Sequence, residues 1–420
     1  MILNTLFLIA LFSIWLMIIY NGVLFLVAIF YRDINQEETI DLLTANKQFP
    51  GVSIFIPAYN EGVVIRDTLQ SMVHLDYPPE KLEIFVINDD SKDNTAEIVT
   101  EFSKKYKQIK LLNIPPEIAH RGKSSNLNYG LKHASHELIA IYDADNNPEP
   151  QSLEILVTAA MSDPKIAAVV GKVRTINKEV NLLTRFINIE FIVHQWTHQA
   201  GKWFLHRIAF LSGTNFVIKR AILKEMGDWD SKSLTEDTEL SLRLIEKGYR
   251  IWFCPTAVTW EQEPQEWKVW FKQRRRWVKG NFYIVNKYLG KGLTNPRLFS
   301  TMLYMFSTYY SLIFLILVSD FNFLCGIFQW EWARITVEGP VTLIWFATFM
   351  MFFQVSLLTL AFEEKELSFK NILTVFLMYF TYCQAWLVLG LMTLFEPKKK
   401  RNLFHWDKTV RFNNKPTTNV

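Results

Sequence analysis

Residues 137–148 read ELIAIYDADNNP, a short apolar run that stops at two aspartates two positions apart. A run of this length, bounded by turn residues, predicts a buried strand. Two other runs behave alike: 52–61 (VSIFIPAYNE) and 82–94 (LEIFVINDDSKDN) also end on polar and acidic residues. The predicted strands are Val52–Pro57, Leu82–Asn88 and Glu137–Tyr142. Between them the apolar period changes, with Ile65, Leu69, Met72 and Val73 on one helical face and Ile98, Phe102 and Tyr106 on another. Strands alternating with helices predict a parallel α/β sheet. Ligands of such sheets bind beyond the carboxyl ends of the strands, which puts Pro57–Glu61, Asp89–Asp93 and Asp143–Asp145 at one edge.

Outward from this domain the composition changes. Half of the 420 residues are apolar, with 33 Phe and 14 Trp, and the apolar residues gather at both ends. Leu6–Tyr31 carries no charge over about 26 residues, more than the roughly 20 that cross a bilayer core. No Lys or Arg precedes it and no small-residue cleavage site follows, so a retained span is expected rather than a signal peptide. Leu298–Val318, Val341–Phe362 and Ile372–Phe395 bring the predicted spans to four. Gln265–Lys291 interleaves Lys268, Lys272, Arg274, Arg275, Arg276, Lys279 and Lys287 with Trp267, Trp270, Phe271 and Trp277, the pattern of a helix in the membrane interface. Its positive charge beside the second span predicts a cytoplasmic domain.

The expected segments are an N-terminal transmembrane helix (1–31), an acidic linker (32–50), a cytoplasmic domain (51–264), an interfacial amphipathic region (265–297), about three transmembrane helices (298–396) and a basic tail (397–420). One span before the domain and three after it would leave Lys398–Arg401 outside, against the positive-inside rule. Either the run interrupted by Asp320 or the last span is therefore expected not to cross completely. The tail from Lys408 reads as a poorly ordered terminus. A formal charge of +4 with only local basic clusters predicts no nucleic-acid partner. Cys254, Cys325 and Cys383 have neither disulfide nor metal-ligand spacing.

Asp143 and Asp145 offer hard oxygens that suit Mg²⁺ or Mn²⁺ bound together with phosphates. The same residues before Asn146-Asn147-Pro148 also suit a solvated turn. Asp89, at a strand end, is a candidate for a nucleotide base or ribose, whereas Asp93 is placed to cap the helix from Asn94. His120-Arg121-Gly122-Lys123 precedes a helix and can meet a diphosphate, or be a solvated basic turn. Thr235-Glu236-Asp237 opens a helix through Leu240 and Leu244 to Gly248, and capping alone explains it. Gln273, Arg276 and Trp277 share a helix face. His194 and His198, on a helical stretch from Glu179 to Gln199, lack a third ligand and read as packing.

Taken in order, Ile56-Pro57-Ala58-Tyr59-Asn60-Glu61, Asp89, Arg121-Gly122-Lys123, Asp-Ala-Asp, Ser212-Gly213-Thr214, Thr-Glu-Asp and Gln-x-x-Arg-Trp resemble the processive glycosyltransferase family 2 enzymes. These are the membrane synthases of cellulose, chitin, hyaluronan and poly-N-acetylglucosamine. The resemblance implies an α/β, GT-A-like (Rossmann-like) domain inserted between an N-terminal transmembrane helix and a C-terminal helix bundle. It implies that Pro57, Tyr59, Glu61 and Asp89 hold the uridine, that Lys123 assists the nucleotide, and that Asp143 and Asp145 hold UDP and the metal. Within Thr-Glu-Asp, it makes Glu236 catalytic and Asp237 the base; Arg276 faces the diphosphate, and Gln273 and Trp277 serve the acceptor sugar. Relatives usually carry Gly where this chain has Asp90.

In layout the chain is most similar to the bacterial poly-β-1,6-N-acetylglucosamine synthases. That similarity implies a UDP-sugar donor, UDP-N-acetylglucosamine first, and an inverting, processive transfer to a growing β-linked exopolysaccharide of the biofilm type. It also implies a multi-pass protein of the cell membrane whose product is exported, with a small membrane, export or regulatory subunit as a candidate partner. Two other functions compete: single addition of a sugar to a lipid acceptor, and a non-enzymatic channel or scaffold with a nucleotide-sugar-binding domain.

Overall fold

Apolar, β-branched runs become eight strands: β1 (Val52–Ala58), β2 (Leu82–Asn88), β3 (Ile109–Asn113), β4 (Leu138–Ile141), β5 (Asn147–Pro148), β6 (Ile166–Thr175), β7 (Phe216–Lys219) and β8 (Arg250–Glu261). This is a computed structural model describing residues 2–45, 49–311, 313, 314, 317, 321, 325, 328–330, 341–363, 365–396 and 409–412. All eight strands form one sheet in the order β3-β2-β1-β4-β7-β6-β8-β5. Its first four strands are parallel, as the alternation predicts. The rest departs from a purely parallel sheet, for β7 is antiparallel to both β4 and β6, and β5 is antiparallel to β8. Register explains the departure. Phe216, first in β7, pairs with Ile141, last in β4, so the Ser212–Asn215 turn is delivered to the same edge as Asp143.

Helices α2 (Ile65–Val73), α3 (Thr95–Lys105), α4 (Lys123–Leu131) and α5 (Ser152–Met161) bury their apolar faces against the sheet. The stretch from Glu179 is not one regular helix. It forms α6 (Leu182–His194), a π-helical segment over Gln195–Ala200, and α7 (Gly201–His206). Next come α8 (Arg220–Glu225), α9 (Glu236–Lys247), the 28-residue α10 (Trp267–Thr294) and α11 (Pro296–Phe306). The chain closes with α12 (Val341–Leu360), α13 (Phe369–Phe380) and α14 (Tyr382–Leu394).

The first helix, α1, runs unbroken from Ile2 to Ala45. The acidic residues expected in a linker after residue 31 therefore lie on its last turns, where no Pro or Gly stops it before Pro50. Its inner face is fastened to β8: the Tyr31 hydroxyl donates to the Phe253 carbonyl (2.5 Å) and accepts from the Trp252 indole (2.7 Å). Its outer face leaves Phe12, Leu16 and Phe30 more than 60% exposed, a surface that water disfavours.

Among the described residues two helical stretches are long and apolar enough to cross a membrane by length and composition, Trp15–Ile40 and Phe369–Leu394. The second is interrupted at Thr381, between α13 and α14. The third predicted run coincides with α12. The second begins as α11 and a π turn over Ser307–Ser311, and most of its remainder lies outside the described residues, as does the basic stretch 397–408. The connection between α12 and α13 ties the helices to the sheet. Glu363 pairs with Lys172 (2.9 Å) and Arg174 of β6 and accepts the Trp196 indole (2.7 Å), while Glu366 pairs with Lys178.

Candidate active site

The carboxyl ends of β1, β2 and β4 carry the predicted donor residues. The backbone N–H of Asp143 donates to Asn146 Oδ1 (3.1 Å) and Thr214 Oγ1 (3.0 Å), fixing the turn across to the Ser212–Asn215 segment. The Asp143 carboxylate accepts from Lys123 Nζ. Lys123, the first residue of α4, also donates to the Gly213 carbonyl (2.8 Å) and lies 4.0 Å from Glu236. One ammonium thus joins three segments far apart in sequence. Burial alone would lower its pKa, but Asp143, Glu236 and Asp237 together raise it.

Asp89 is buried, and both its carboxylate oxygens accept bonds: Oδ1 from the His120 N–H (2.7 Å), Oδ2 from the Asn126 amide (3.1 Å). It therefore shapes the loop leading into α4. Tyr59 meets the His120 ring edge-on at 5.0 Å. Asp90 adopts φ +58°, the left-handed region that glycine enters freely and Asp tolerates better than most residues. A glycine, which the family resemblance implies at this position, would enter the same region without strain. Asp93 accepts from the N–H of Thr95 (3.0 Å), the first residue of α3, and from the Gly62 N–H (2.9 Å), while Asn94 holds the N-cap position with no side-chain cap bond. Pro57 is half-buried near the end of β1, and Glu61 is buried beyond it.

On the opposite wall, α9 begins with Glu236 and Asp237. Asp237 Oδ1 accepts the N–H of Thr238 (2.7 Å). Its Oδ2 lies where a Cβ on Gly213 would come within 3.1 Å, and Gly213 has φ +80°. The positive φ favours glycine there, and a Cβ would press on the Asp237 carboxylate. Helix α10 closes the wall at Gly280, where a Cβ would meet Thr235 at 2.6 Å. Arg276, one turn earlier, is thereby brought to the carboxylates; burial lowers its pKa, opposed by Glu236, Asp143 and Asp237. Trp277 lies 3.9 Å under the guanidinium of Arg274, which also donates to Gln273 (3.1 Å).

Electrostatically the site is a crowd of buried acids. Burial, with a further push from Asp237, raises Glu236 to about 7 although Lys123 opposes it, and burial raises Asp237 too. Burial and Asp143 raise Asp145 against Arg411. Glu261 is pushed well up by burial, Glu263 and Asp145. The pair Asp143 and Asp145 fits a hard divalent cation that shares its ligands with phosphates. Asp143 is one-third exposed, and buried Asp145 already carries a cationic stand-in, the guanidinium of Arg411 at 2.9 Å.

Lys123, Asp143, Glu236, Asp237 and Arg276 are thus brought together, Asp145 adjoins them, and Pro57, Tyr59 and Asp89 line the neighbouring strand ends. Several residues here escaped sequence reasoning. Arg274 is fully buried, paired with Glu190 (2.8 Å), and its place four residues after Trp270 on the inward stripe was the available signal. Arg411 had none: residues 409–412, expected in a poorly ordered tail, dock beside Asp145. His194 and His198 pack ring to ring at 5.2 Å, and His198 meets the Tyr304 hydroxyl at 2.9 Å.

Residues 50–280 match the family described as "Glycosyltransferase like family 2". The chain is similar to the probable glycosyltransferase YdaM of Bacillus subtilis, 45% identical over 418 residues and 98% of each chain. It is also similar to poly-beta-1,6-N-acetyl-D-glucosamine synthase of Staphylococcus epidermidis, 33% identical over 240 residues, 57% of each. In fold it is similar to the mannosyltransferase PcManGT of Pyrobaculum calidifontis, solved with GDP-Man and Mn²⁺, at 18% identity and a TM-score of 0.57 over 90% of this chain and 99% of that one.

Proposed function

The chain belongs to glycosyltransferase family 2 and is a glycosyltransferase, and from that premise we propose that it polymerises a β-linked exopolysaccharide from a UDP-sugar, UDP-N-acetylglucosamine first, at the cytoplasmic face of the cell membrane. The observation that carries this reading is the juxtaposition of Asp237 with Glu236, Lys123, Asp143 and Arg276 around one cleft. Asp143 and Asp145 would hold a Mg²⁺ or Mn²⁺ with the donor diphosphate, supplying positive charge to the leaving group. Lys123 and Arg276 add fixed charge where the diphosphate develops it. Pro57, Tyr59, Glu61 and Asp89 form the nucleotide end.

Asp237 takes the proton of the acceptor hydroxyl as the glycosidic bond forms. Burial raises Asp237, and it accepts that proton only in its ionised form. One base and one displacement invert the anomeric carbon, so an α-linked donor gives a β-linkage. Trp277, with Gln273, offers the apolar face of a sugar ring a place to rest between additions. The exposed apolar faces of α1, α13 and α14 support a bilayer setting with several crossings and passage of the product outward, alone or with a small subunit.

Purified membranes given a panel of labelled UDP-sugars, followed by product sizing, test the reading. A ladder of long products from one donor is expected. A single sugar on a lipid would reject polymerisation. Asp237→Asn should abolish transfer and leave donor binding within a few-fold; unchanged turnover would reject the base.

A further inference from the structure

Residues Thr409–Phe412 lie against the catalytic domain through Gln262 and Asp145. Phe412 and Gln262 bond reciprocally: the Phe412 N–H donates to Gln262 Oε1 (2.7 Å), and Gln262 Nε2 donates to the Phe412 carbonyl (2.8 Å). Arg411 donates to the Gln262 carbonyl (2.6 Å) and to Asp145 Oδ1 (2.9 Å). The second oxygen of Asp145 accepts the Gln262 N–H (3.0 Å). Both oxygens of this 3%-exposed carboxylate are therefore engaged, one of them by a cation from the far end of the chain. The negative charges of Glu61, Glu261 and Asp143 also act on the same guanidinium.

A divalent cation needs a carboxylate oxygen at about 2.0–2.1 Å. It cannot share Asp145 Oδ1 with a guanidinium, because the two like charges would be forced together in a site from which water is largely shut out. Oδ2 keeps a lone pair beside the Gln262 N–H, but a cation there would still face the guanidinium across the same carboxylate. We propose that the C-terminal segment is a displaceable plug, in which Arg411 competes with a divalent cation for Asp145, and that cation loading lifts residues 409–412 off Gln262. The inference rests on the reading of Asp143 and Asp145 as the metal pair. It adds that the chain carries its own competitor for that site, so the affinity for the ion depends on a residue outside the catalytic domain.

The test uses the full chain in detergent with Mn²⁺ alone as the probe. Bound Mn²⁺ is measured by loss of the free-ion paramagnetic resonance signal for the wild type, Arg411→Gln and Asp143→Asn. A plug seated nine-tenths of the time weakens apparent affinity about tenfold, so Arg411→Gln should bind Mn²⁺ about tenfold more tightly than the wild type. Hydrogen exchange of the C-terminal peptide in the wild type, which needs no variant, should rise with Mn²⁺ along the binding curve as the Phe412 N–H loses its partner. Equal affinity in wild type and Arg411→Gln, with binding lost in Asp143→Asn, would overturn the plug and leave the metal pair standing. Mn²⁺ binding that persists in Asp143→Asn, or no binding at all, would overturn both. Exchange that is unchanged at saturating Mn²⁺ overturns the plug.

Discussion

Gly280→Ala puts one methyl group where α10 crosses the start of α9. The new Cβ would lie 2.6 Å from Thr235 Cγ2 and Oγ1 and 3.1 Å from its Cβ. Thr235 is buried and β-branched, so it has no flexible end to swing aside. Restoring ordinary contact near 3.5 Å needs a relative shift of about 1 Å between the helices. Overpacking of this kind costs about 1–3 kcal/mol, offset by about 0.5–1 kcal/mol because Ala suits a helix interior better than Gly. Net stability should therefore fall by no more than about 2.5 kcal/mol. Catalysis should suffer more. Glu236 and Asp237 follow Thr235 directly and Arg276 lies one turn before Gly280, so the shift separates the base from the leaving-group cation. A misplacement of about 1 Å can cost about 100-fold in rate. The assay is labelled-sugar transfer with thermal melting alongside. Gly290→Ala on the same helix is the control, since nothing lies within 4 Å of its Cβ; it should keep wild-type turnover. A folded Gly280→Ala enzyme with wild-type turnover, or an equal loss in Gly290→Ala, would refute the reasoning.

Four further outcomes are expected. Transfer should speed up as pH rises through about 7, where the buried Glu236 side of the acid pair ionises, and Glu236→Gln should remove that limb of the profile. The same group links to stability with the opposite sign. Its folded pKa is raised above the ordinary 4.5, so its stabilisation is complete below about 4.5 and is lost as pH rises through about 7; melts of wild type and Glu236→Gln across that window measure it. Arg274→Leu should cost about 2 kcal/mol or more, because half-buried Glu190 keeps the Tyr382 hydroxyl but loses its cation; a melting curve within about 1 kcal/mol of wild type would contradict this. Trp277→Ala should shorten the product more than it slows the first addition, read by sizing chains at equal sugar consumption, and unchanged length would remove Trp277 from acceptor holding.

The three strands carrying Tyr59, Asp89 and Asp143 were legible because a period-two or continuous apolar run ending in turn residues is a local signal. The α2 and α3 faces were legible for the same reason. β7 was not. Its four residues form a strand only because β4 and β6 flank them, and its direction follows from the register of Phe216 on Ile141. Glu37, Glu38 and Asp41 looked like a linker because charge marks solvent, yet the exposed helical face of Glu37 and Glu38 satisfies charge equally well.

The sequence by itself determined the parallel half of the sheet, the apolar ends and the ordered motifs that place this chain in its family, since each is written in the spacing of neighbouring residues. Tertiary structure alone decided which acids share a cleft. Asp237 reads locally as a first-turn residue of a helix, and it becomes a candidate base because Gly213 lets a distant turn close over it and Gly280 lets α10 press against Thr235. Arg411 reads as one more cation in a tail; folding sets it on Asp145, 266 positions away in sequence. Burial raises Glu236 and Asp237 only because the surrounding chain excludes water from them. Desolvation belongs to the packed molecule, and no local pattern of residues records it.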